Sequence, residues 1–569
     1  MKIIRRLPQN IEKKFIGNLD PILTRIFLSR GVDDVRNLIY TPKNLLKPNF
    51  LDIEKAAIRI VKAIEYGESI RVVGDYDADG ATSTSLMIRF FNDIGYKKIN
   101  YYIPKRSEGY GISSDIVTKA KNDGISVLIT VDNGISAFDA ALKAKELEID
   151  LIITDHHLPS EVLPLAYAIV NPQRKDCPFE SKCICGCGVA FYLVIEIRKI
   201  LREHNFFKSN NLNEPNVAYY LDLVAIGTIS DVVELDHNNR VMVQLGLERI
   251  RRGLTSKGIL ELIKKGKKNP SNLTINDIGF CISPKLNAAG RVEDMRFGVE
   301  CLLANNEYDA KVNVSLLETF NEKRKQIEKE MYQEALSIIS SQYGSNPKTG
   351  MVIYDENFHS GIVGILAGKL VNEFNVPIIV FSKNLSTGKL VGSARSIDSY
   401  HIKEALDRIN AKHPLVAYGG HKQAAGLTIE LANLEEFKID FASDVNSIFN
   451  GNFPDKIFTT DGPLSRFYFS SSFIRTLIYD HPWGHLFPEP LFDGEFYVLK
   501  QYVVKDLHMR VLLSFPSGEN VWAMYFFYDK TMWPNFRTRA AKVVYNFDIS
   551  ANSDDARYSL IIRGMTPLF

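Results

Sequence analysis

Leu151-Ile-Ile-Thr-Asp155-His156-His157-Leu-Pro159 contains the strongest structural signal in this chain. Its first four residues are apolar or β-branched, as at the end of a buried strand, and Pro159 cannot continue a β-ladder. The chain therefore leaves the strand through one carboxylate and two imidazoles, side chains that commonly bind metal ions. This pattern predicts a metal site at the end of a strand.

Two other segments end in the same way. Ile70–Val73 runs into Asp75-Tyr-Asp77-Ala-Asp79-Gly80, and Val127–Val131 runs into Asp132-Asn-Gly134. Apolar residues at helical spacing lie between these strands, and the alternation of strand and helix predicts a doubly wound parallel sheet. Ligands of such sheets bind beyond the carboxyl ends of the strands. We therefore expect the three acidic segments to share one crevice.

Several carboxylates in one crevice repel each other unless divalent cations neutralise them. By itself, the run from Asp75 to Gly80 could also be a solvated turn or a calcium-binding loop. The glutamate that completes a calcium loop would fall near Leu86, and none is there. We expect the acids of this run to alternate along an extended segment, which would turn all three to the same side.

The composition bounds the class of protein. A chain of 569 residues exceeds a single core, so about three or four domains are expected. Lys and Arg total 69 against 67 Asp and Glu, a net charge of +2, so contacts with nucleic acid must come from local patches. No apolar run approaches the roughly 18 residues of a membrane span, and the first residues show no export signal. We expect a soluble, cytoplasmic protein with no membrane partner.

Four of the six cysteines are clustered, at Cys177, Cys183, Cys185 and Cys187. Structural zinc sites usually have two ligand pairs separated by a longer loop, and this tight Cys-x-Cys-x-Cys spacing departs from that pattern. Disulfides are not expected in a cytosolic enzyme of this size. Two interpretations stay open, reduced cysteines packed in the core or a metal site, and the spacing favours the first.

The second half of the chain contains three further signals. Residues 306–342 have no Pro or Gly and predict a connecting helix of roughly 55 Å. Met351–Tyr354 and Pro377–Phe381 are predicted strands of a second α/β domain. All three tryptophans lie after residue 455, among five strand-like runs typical of an OB-like barrel, a fold that stacks bases on aromatic side chains. Most of these aromatics could equally belong to the core.

Four motifs, taken together, resemble a known family. Gly74–Gly80, Val131–Ile135, Asp155–His157 and Gly227-Thr-Ile-Ser-Asp231 occur in the order and spacing of the DHH phosphoesterase superfamily. Within it, the chain resembles the RecJ family of single-strand-specific exonucleases nearly end to end. The expected fold class is two α/β domains joined by a long helix, with a C-terminal OB-like barrel. The expected segments are an N-terminal cap (1–54), the DHH catalytic domain (55–235), a helical region (236–342), the DHH-associated domain (343–450) and the OB-like domain (455–569).

The resemblance implies two divalent cations, Mg²⁺ or Mn²⁺, about 3.5 to 4 Å apart as in other two-metal sites. The implied ligands are Asp77, Asp79, Asp132, His156 and Asp231, although an acid at the end of a helix is also commonly a cap. Asp75 is either a further ligand or supports the ligands. We expect Asp132 to bridge the cations because its strand is the middle one. By resemblance, His157 faces the phosphate and Asp155 orients the histidines.

The resemblance also implies contacts with the substrate. Arg106 and Tyr110 match the family's residues near the 5′ nucleotide, in a loop one residue shorter than the family pattern. Glu234 stands where the family usually has proline. Contacts with the nucleic-acid backbone are implied for Arg291, Ser393, Arg395 and His421. The glycines beside His421 suit phosphate binding, although a Gly-Gly turn is common without that function.

The implied function is a metal-dependent exonuclease of DNA recombination and repair. It would digest single-stranded DNA from the 5′ end to 5′-mononucleotides, together with a helicase and a single-strand-binding protein. One alternative is a DHH-type phosphodiesterase that acts on short oligoribonucleotides or cyclic dinucleotides, which would need no barrel for strand binding. Another is a non-catalytic, strand-binding scaffold, which would not need the acids that this chain retains.

Overall fold

A computed structural model of the chain describes residues 1–6, 15–344, 347–454, 457–549 and 558–568. The chain divides into two compact units, one of Ile3–Glu318 with Ile457–Phe569 and the other of Thr319–Lys456. Within the described part of the chain, no helix combines the length and the apolarity needed to span a membrane. The predicted boundary at residue 455 and the last residue, 569, lie outside the described residues.

The first unit contains a five-stranded parallel sheet, which confirms the predicted doubly wound class. Its strands lie in the order Ile99–Tyr102, Ile70–Val73, Val127–Val131, Asp150–Thr154 and Ala168–Val170. The three acid-ended strands are therefore adjacent, and Val127–Val131 is the middle one, as predicted. All residues of the two strands that precede Asp75 and Asp132 are buried, which explains their uninterrupted apolar character. The short strand Ala168–Val170 was not predicted.

Helices cover this sheet and supply part of its core. Their bounds are Ile53–Tyr66, Ala78–Asp93, Ser114–Asn122, Phe138–Glu146, Gly186–Glu203 and Leu221–Ser230. A 3₁₀ turn, Val217–Tyr220, precedes the last of them. Leu221–Ser230 is buried except at its last two residues and is followed by Asp231, so this acid projects from the end of a core helix rather than a surface helix.

The first acidic segment differs from the prediction. Asp77 has extended backbone, but the helix begins at Ala78, so Asp79 lies in its first turn rather than on an extended strand. The reason is a side-chain cap: Asp77 Oδ1 accepts hydrogen bonds from the backbone N–H groups of Asp79 and Gly80. The prediction that the three acids alternate along one extended segment is therefore wrong for Asp79.

The chain then continues through helices, His237–Arg251, Lys257–Lys265, Ser283–Val292 and Arg296–Leu303. The predicted long helix is present as Glu307–Tyr343, which has 37 residues and so a length of about 55 Å. It begins in the first unit and ends in the second.

The second unit contains a mixed five-stranded sheet. Its strand order is Ala417–Gly420, Ala424–Ile429, Leu390–Arg395, Ile378–Lys383 and Met351–Tyr354. The two predicted strands are its only parallel pair among the described residues, and the other pairs are antiparallel. Its helices are Val363–Phe374, Ile402–Asn410 and Leu434–Phe449. Gly419 and Gly420 therefore lie in a β-hairpin.

The C-terminal part of the first unit is a closed five-stranded barrel, as predicted. Its strands are Phe492–Val504, His508–Ser514, Asn520–Phe526, Ala540–Ile549 and Tyr558–Leu568. The third and fifth strands pair in parallel and close it in the manner of an OB fold. Trp533 is buried in the core, whereas Trp522 is half-buried on the surface.

The N-terminal segment packs against the residues that lead into the barrel. Lys2–Arg5 forms a two-stranded sheet with Ile457–Thr460, and the ring of Phe27 stacks on Trp483 with 5.6 Å between centroids. The guanidinium of Arg30 donates two hydrogen bonds to Asp461, of 2.7 and 2.9 Å. Both side chains of this ion pair are only 1% exposed. Residues near the two ends of the chain therefore share one core.

Candidate metal centre and active site

Asp79 occupies a buried pocket at the start of two helices. It is 1% exposed, and its carboxylate accepts hydrogen bonds from the backbone N–H groups of Gly186 and Cys187, of 2.6 and 3.1 Å. These groups begin the helix Gly186–Glu203, whose N-terminus favours negative charge. A Cβ at Gly227 would lie 2.5 Å from Asp79 Oδ1, so glycine is required there. Burial and the charge of Asp77 raise the pKa of Asp79 to about 7.

Asp132 projects from the end of the middle strand. Its φ of +63° is a left-handed conformation that aspartate tolerates better than most residues. The next side chain fixes this turn, because Asn133 donates to the backbone carbonyls of Val73 and Val131. Glycine is needed at Gly186, where a Cβ would lie 2.5 Å from the Cβ of Asp132. Asp132 is 2% exposed, and its Oδ1 has no hydrogen-bond partner.

Asp155 is buried, and both of its carboxylate oxygens accept hydrogen bonds. Oδ1 accepts hydrogen bonds from the backbone N–H groups of His156 and His157, and Oδ2 accepts one from Ile135 N–H. Oδ1 also lies 2.7 Å from His157 Nδ1. Burial alone would raise the pKa of Asp155, but the hydrogen bond and charge of His157 hold it below its usual value. This carboxylate is positioned to orient both histidines.

The two histidines have opposite electrostatic environments. Burial and the charge of His157 lower the pKa of His156 to about 4, so its imidazole is neutral and can act as a ligand. Burial would also lower the pKa of His157, but Asp155 and the surrounding carboxylates raise it to about 9. The side chain of His157 is 47% exposed, so it faces the solvent side of the site as an imidazolium.

The imidazole of His156 lies close to carboxylates from another strand end and from two helices. Its Nε2 lies 3.1 Å from Asp132 Oδ1, 3.5 Å from Asp231 Oδ2 and 4.0 Å from Asp79 Oδ2. Asp75 Oδ1, Asp132 Oδ1 and His156 Nε2 are all buried without a hydrogen-bond partner. Unpartnered carboxylate oxygens beside a neutral imidazole are the donor set that Mg²⁺ and Mn²⁺ accept.

Three groups of side chains could each hold a metal ion, because their candidate ligand atoms lie within 4.8 Å of one another. The groups are Asp79, His156 and Asp231; Asp75, Asp77 and Asp132; and Asp132, His156 and His157. Asp132 belongs to two groups and adjoins the third through His156. Burial and mutual repulsion raise the pKa values of Asp75, Asp132 and Asp231 well above normal. Divalent cations would stabilise the charged form of these buried carboxylates, so the site is suited to binding them.

Tyr110 and Arg106 border this centre. The hydroxyl of Tyr110 donates to the backbone carbonyl of Asp132 at 3.1 Å and lies 3.5 Å from His157 Nδ1. Arg106 Nε donates to the carbonyl of Gly290 at 3.1 Å. The helix Ser283–Val292 therefore reaches the site, and Arg291 lies on its last turn. Burial raises the pKa of Tyr76, and the charges of Arg106 and, less strongly, Arg291 oppose that rise, so both guanidinium groups lie near its ring.

The second unit brings its three predicted contact residues to one end of its sheet. Ser393 pairs with Gly426 and Arg395 with Ala424 across two strands, and the N–H of His421 donates to the carbonyl of Ala424. Arg395 Nη1 donates to Ser393 Oγ at 3.0 Å. Burial lowers the pKa of Arg395, and no carboxylate among the described residues forms an ion pair with this guanidinium. The arrangement is suited to an anionic group.

Two cysteines of the cluster, Cys185 and Cys187, pack beside Asp79. All six cysteines are free, and Cys185 and Cys187 are fully buried. Cys185 Sγ accepts a hydrogen bond from the N–H of Gly188. It therefore caps the helix Gly186–Glu203, whose first N–H groups bind the carboxylate of Asp79. Within the described ranges, the groups able to hold a metal contain only aspartate and histidine. These contacts favour the packing interpretation of the cysteines.

Sequence reasoning missed some of the residues that shape the site. The N–H groups of Gly186 and Cys187 were not assigned a role, although the small residues around a helix start were a usable signal. Asn287 was quoted only as part of a motif, yet its Oδ1 accepts the N–H of Ala78 at the start of the acidic helix. Both contacts join segments far apart in the chain.

Comparison with known proteins gives consistent matches. Residues 69–228 match the DHH family, N-terminal domain, and residues 348–447 match the DHHA1 domain. The chain is 39% identical to the single-stranded-DNA-specific exonuclease RecJ of Salmonella typhimurium over 99% of both chains. It is 38% identical to the protein of that name from Escherichia coli over 97% of both chains.

A solved structure of RecJ in complex with Mn²⁺ from Thermus thermophilus has the same fold. It matches with a TM-score of 0.77 and 24% identity, over 97% of this chain and 76% of that chain. The structure of that protein in complex with Mg²⁺ matches with a TM-score of 0.71 and 23% identity, over 97% and 75% of the two chains.

Proposed function

This chain belongs to the RecJ family of single-stranded-DNA-specific exonucleases, and from that premise we propose that it degrades single-stranded DNA from the 5′ end to 5′-mononucleotides. The reaction is metal-dependent and serves DNA recombination and repair. The observation that carries the proposal is the convergence of acidic strand ends on His156, with Asp132 Oδ1 3.1 Å from its Nε2.

Two divalent cations, Mg²⁺ or Mn²⁺, fit the donor set. Asp79, His156 and Asp231 would hold one, and Asp77 with Asp75 would hold the other. Asp132 would contact both, because it belongs to one ligand-capable group and adjoins the other. Cations held there would acidify a water molecule and neutralise charge on a phosphodiester and its leaving oxygen. The buried oxygens that lack hydrogen bonds support this assignment.

The protein's own groups orient the substrate. His157 is held by Asp155 through Nδ1, so Nε2 is the nitrogen that remains to donate a proton in a hydrogen bond to a phosphate oxygen. The raised pKa of His157, about 9, keeps this donor charged at neutral pH. Asp155 acts through the histidines, since its own oxygens are occupied by hydrogen bonds from the backbone. Tyr110 limits the movement of His157 from the other side.

The strand would contact several surfaces. Arg106 and Tyr110 would bind the 5′-terminal nucleotide, with Arg291 nearby. Ser393, Arg395 and His421 would bind backbone phosphates. On the barrel, the guanidinium of Arg510 lies 4.1 Å above the ring of half-buried Trp522, which offers a surface for base stacking. A helicase that unwinds the duplex and a single-strand-binding protein are the partners that such a substrate requires, and we place the enzyme in the cytoplasm, where its six thiols stay reduced.

The direct test uses purified protein with 5′- and 3′-labelled single and double strands, in Mg²⁺, Mn²⁺ or chelator. We expect mononucleotides to appear first from the 5′ label of single strands and no cleavage with chelator. Asp139→Ala, an exposed carboxylate on a helix of the same domain, is a control that should behave as wild type. Cleavage that starts at the 3′ end, or that persists in chelator, would contradict the proposal.

A further inference from the structure

Tyr76 lies between two of the candidate metal ligands, Asp75 and Asp77, and its side chain has a defined position. The guanidinium carbon of Arg106 lies 4.0 Å from the centroid of the Tyr76 ring, a close cation–π contact. On another side, the rings of Tyr76 and Tyr110 meet edge to face, with 6.0 Å between centroids and an interplanar angle of 82°. The Tyr76 ring is thus the common neighbour of Arg106 and Tyr110.

The backbone of Tyr76 is fixed by the helix Ser283–Val292. A Cβ at Gly290 would lie 1.7 Å from the carbonyl oxygen of Tyr76, so only glycine allows this approach. Asn287 Oδ1 accepts the N–H of Ala78, two residues further on. Because the carbonyl of Gly290 also accepts Arg106 Nε, one helical turn holds both partners of the cation–π contact.

The guanidinium of Arg106 lies near Asp75, where its charge opposes the rise in the pKa of that carboxyl that burial causes. Among the described residues, no carboxylate forms an ion pair with its guanidinium, and its polar contact is the hydrogen bond to Gly290. The Nη atoms are therefore available to an anionic ligand. Since the loop of residues 104–111 does not itself fix the end of this long side chain, the Tyr76 ring and Gly290 determine where the charge lies.

We propose that Tyr76 is a positioning residue, which holds Arg106 and Tyr110 in place for the 5′-terminal nucleotide of the strand. This inference rests on the proposed exonuclease function and adds to it a residue of the acidic motif that is not itself a candidate ligand. The aromatic face matters and the hydroxyl does not, because both contacts are made by the ring. Loss of the ring should release Arg106 while leaving the carboxylates on either side in place.

The effect should appear in substrate binding. A cation–π contact contributes enough that its loss should raise KM for a 5′-phosphorylated single strand roughly two- to thirtyfold. We expect Tyr76→Leu to do so with little change in kcat and none in the affinity for Mn²⁺ measured without DNA. Tyr76→Phe, which keeps the aromatic ring, should have the KM of the wild type. Tyr66→Leu is the matched control, because Tyr66 is 78% exposed on a distant helix.

A double-mutant cycle separates positioning from general packing. In the Arg106→Ala background, Tyr76→Leu should raise KM by a clearly smaller factor than in the wild type, because only the contact between Tyr76 and Tyr110 is then left to lose. Additive effects, or an unchanged KM in the single variant, would overturn the proposal. If Tyr76→Leu is unfolded by circular dichroism, Tyr76→Met, which also lacks an aromatic face, takes its place in the cycle.

The same cycle is measured by fluorescence anisotropy of a 5′-phosphorylated strand in Ca²⁺. This measurement needs no turnover. If the wild type cleaves no single strand, the proposed function fails, whereas coupling between positions 76 and 106 in the anisotropy data would still support the role of Tyr76. Cleavage by the wild type without such coupling would overturn the positioning role alone.

Discussion

His156 and Asp132 face each other across the ends of two adjacent strands, with 3.1 Å between Nε2 and Oδ1. Neither atom has a hydrogen-bond partner, although both are buried. A buried acceptor left unpaired costs roughly 1–3 kcal/mol, so the pair is suited to a ligand that binds both atoms. A cation in contact with Asp132 and His156 would remove that cost.

Asp132→Ala should abolish cleavage and leave single-strand binding largely intact. A carboxylate shared by two cations organises both, but it contributes little contact with DNA. Turnover and anisotropy are measured on the same preparation. More than a tenth of wild-type turnover would refute the bridging role, and Asp139→Ala provides the exposed-carboxylate control.

Asp155→Asn should shift the alkaline limb of the pH profile. The pKa of His157 is raised to about 9 by Asp155 and other carboxylates, so the wild-type imidazole stays protonated across neutral pH and loses its proton only above that value. Without the carboxylate of Asp155, deprotonation should occur at lower pH, and kcat/KM should fall earlier as pH rises. An alkaline limb at the wild-type position would show that His157 does not act as a proton donor.

Trp522→Ala should weaken binding of long single strands by roughly five- to a hundredfold, as expected for the loss of one stacked base. Turnover of a saturating short strand should change little, because the candidate ligands lie far from the barrel in sequence. Point substitution is preferable to removal of residues 455–569, which would leave Arg30 buried without Asp461. Unchanged affinity for a long strand would rule out this surface as a strand-binding site.

Replacing Cys183, Cys185 and Cys187 with Ala should lower stability by at most a few kcal/mol and remove no metal. Most of this loss of stability should come from Cys185, which caps the helix Gly186–Glu203 beside Asp79. Denaturant unfolding and elemental analysis provide the measurements. Stoichiometric zinc or iron in the wild type that is lost in the triple variant would establish a metal site instead.

Arg30→Ala should lower the free energy of unfolding by about 3 kcal/mol, because it leaves the buried carboxylate of Asp461 without its main partner. Arg6 lies 3.3 Å from the same carboxylate and should limit the loss. Arg36→Ala is the matched control: the side chain of Arg36 is 77% exposed in its pair with Asp34, and an ion pair so exposed to solvent contributes far less to stability than a buried one. Equal effects of the two substitutions would contradict this account.

The sequence by itself determined the sheet that builds the site. Apolar runs such as Val127–Val131 are local signals, and parallel strands end at the same edge of a sheet, so the sequence predicted that Asp132, Asp155 and His156 lie at one edge. The long helix and the five barrel strands were also predictable, since the absence of Pro and Gly and the strand-like apolar runs are properties of each segment alone.

Only the tertiary structure decided how the side chains are held. Because Asp77 caps the helix that begins at Ala78, Asp79 lies on that helix. The N–H groups that bind Asp79 belong to Gly186 and Cys187, more than a hundred positions away in the sequence. The pairing of Lys2–Arg5 with Ile457–Thr460 spans most of the chain. Local propensity contains no information about such contacts, because each depends on two distant segments whose burial is favourable only when both are already folded.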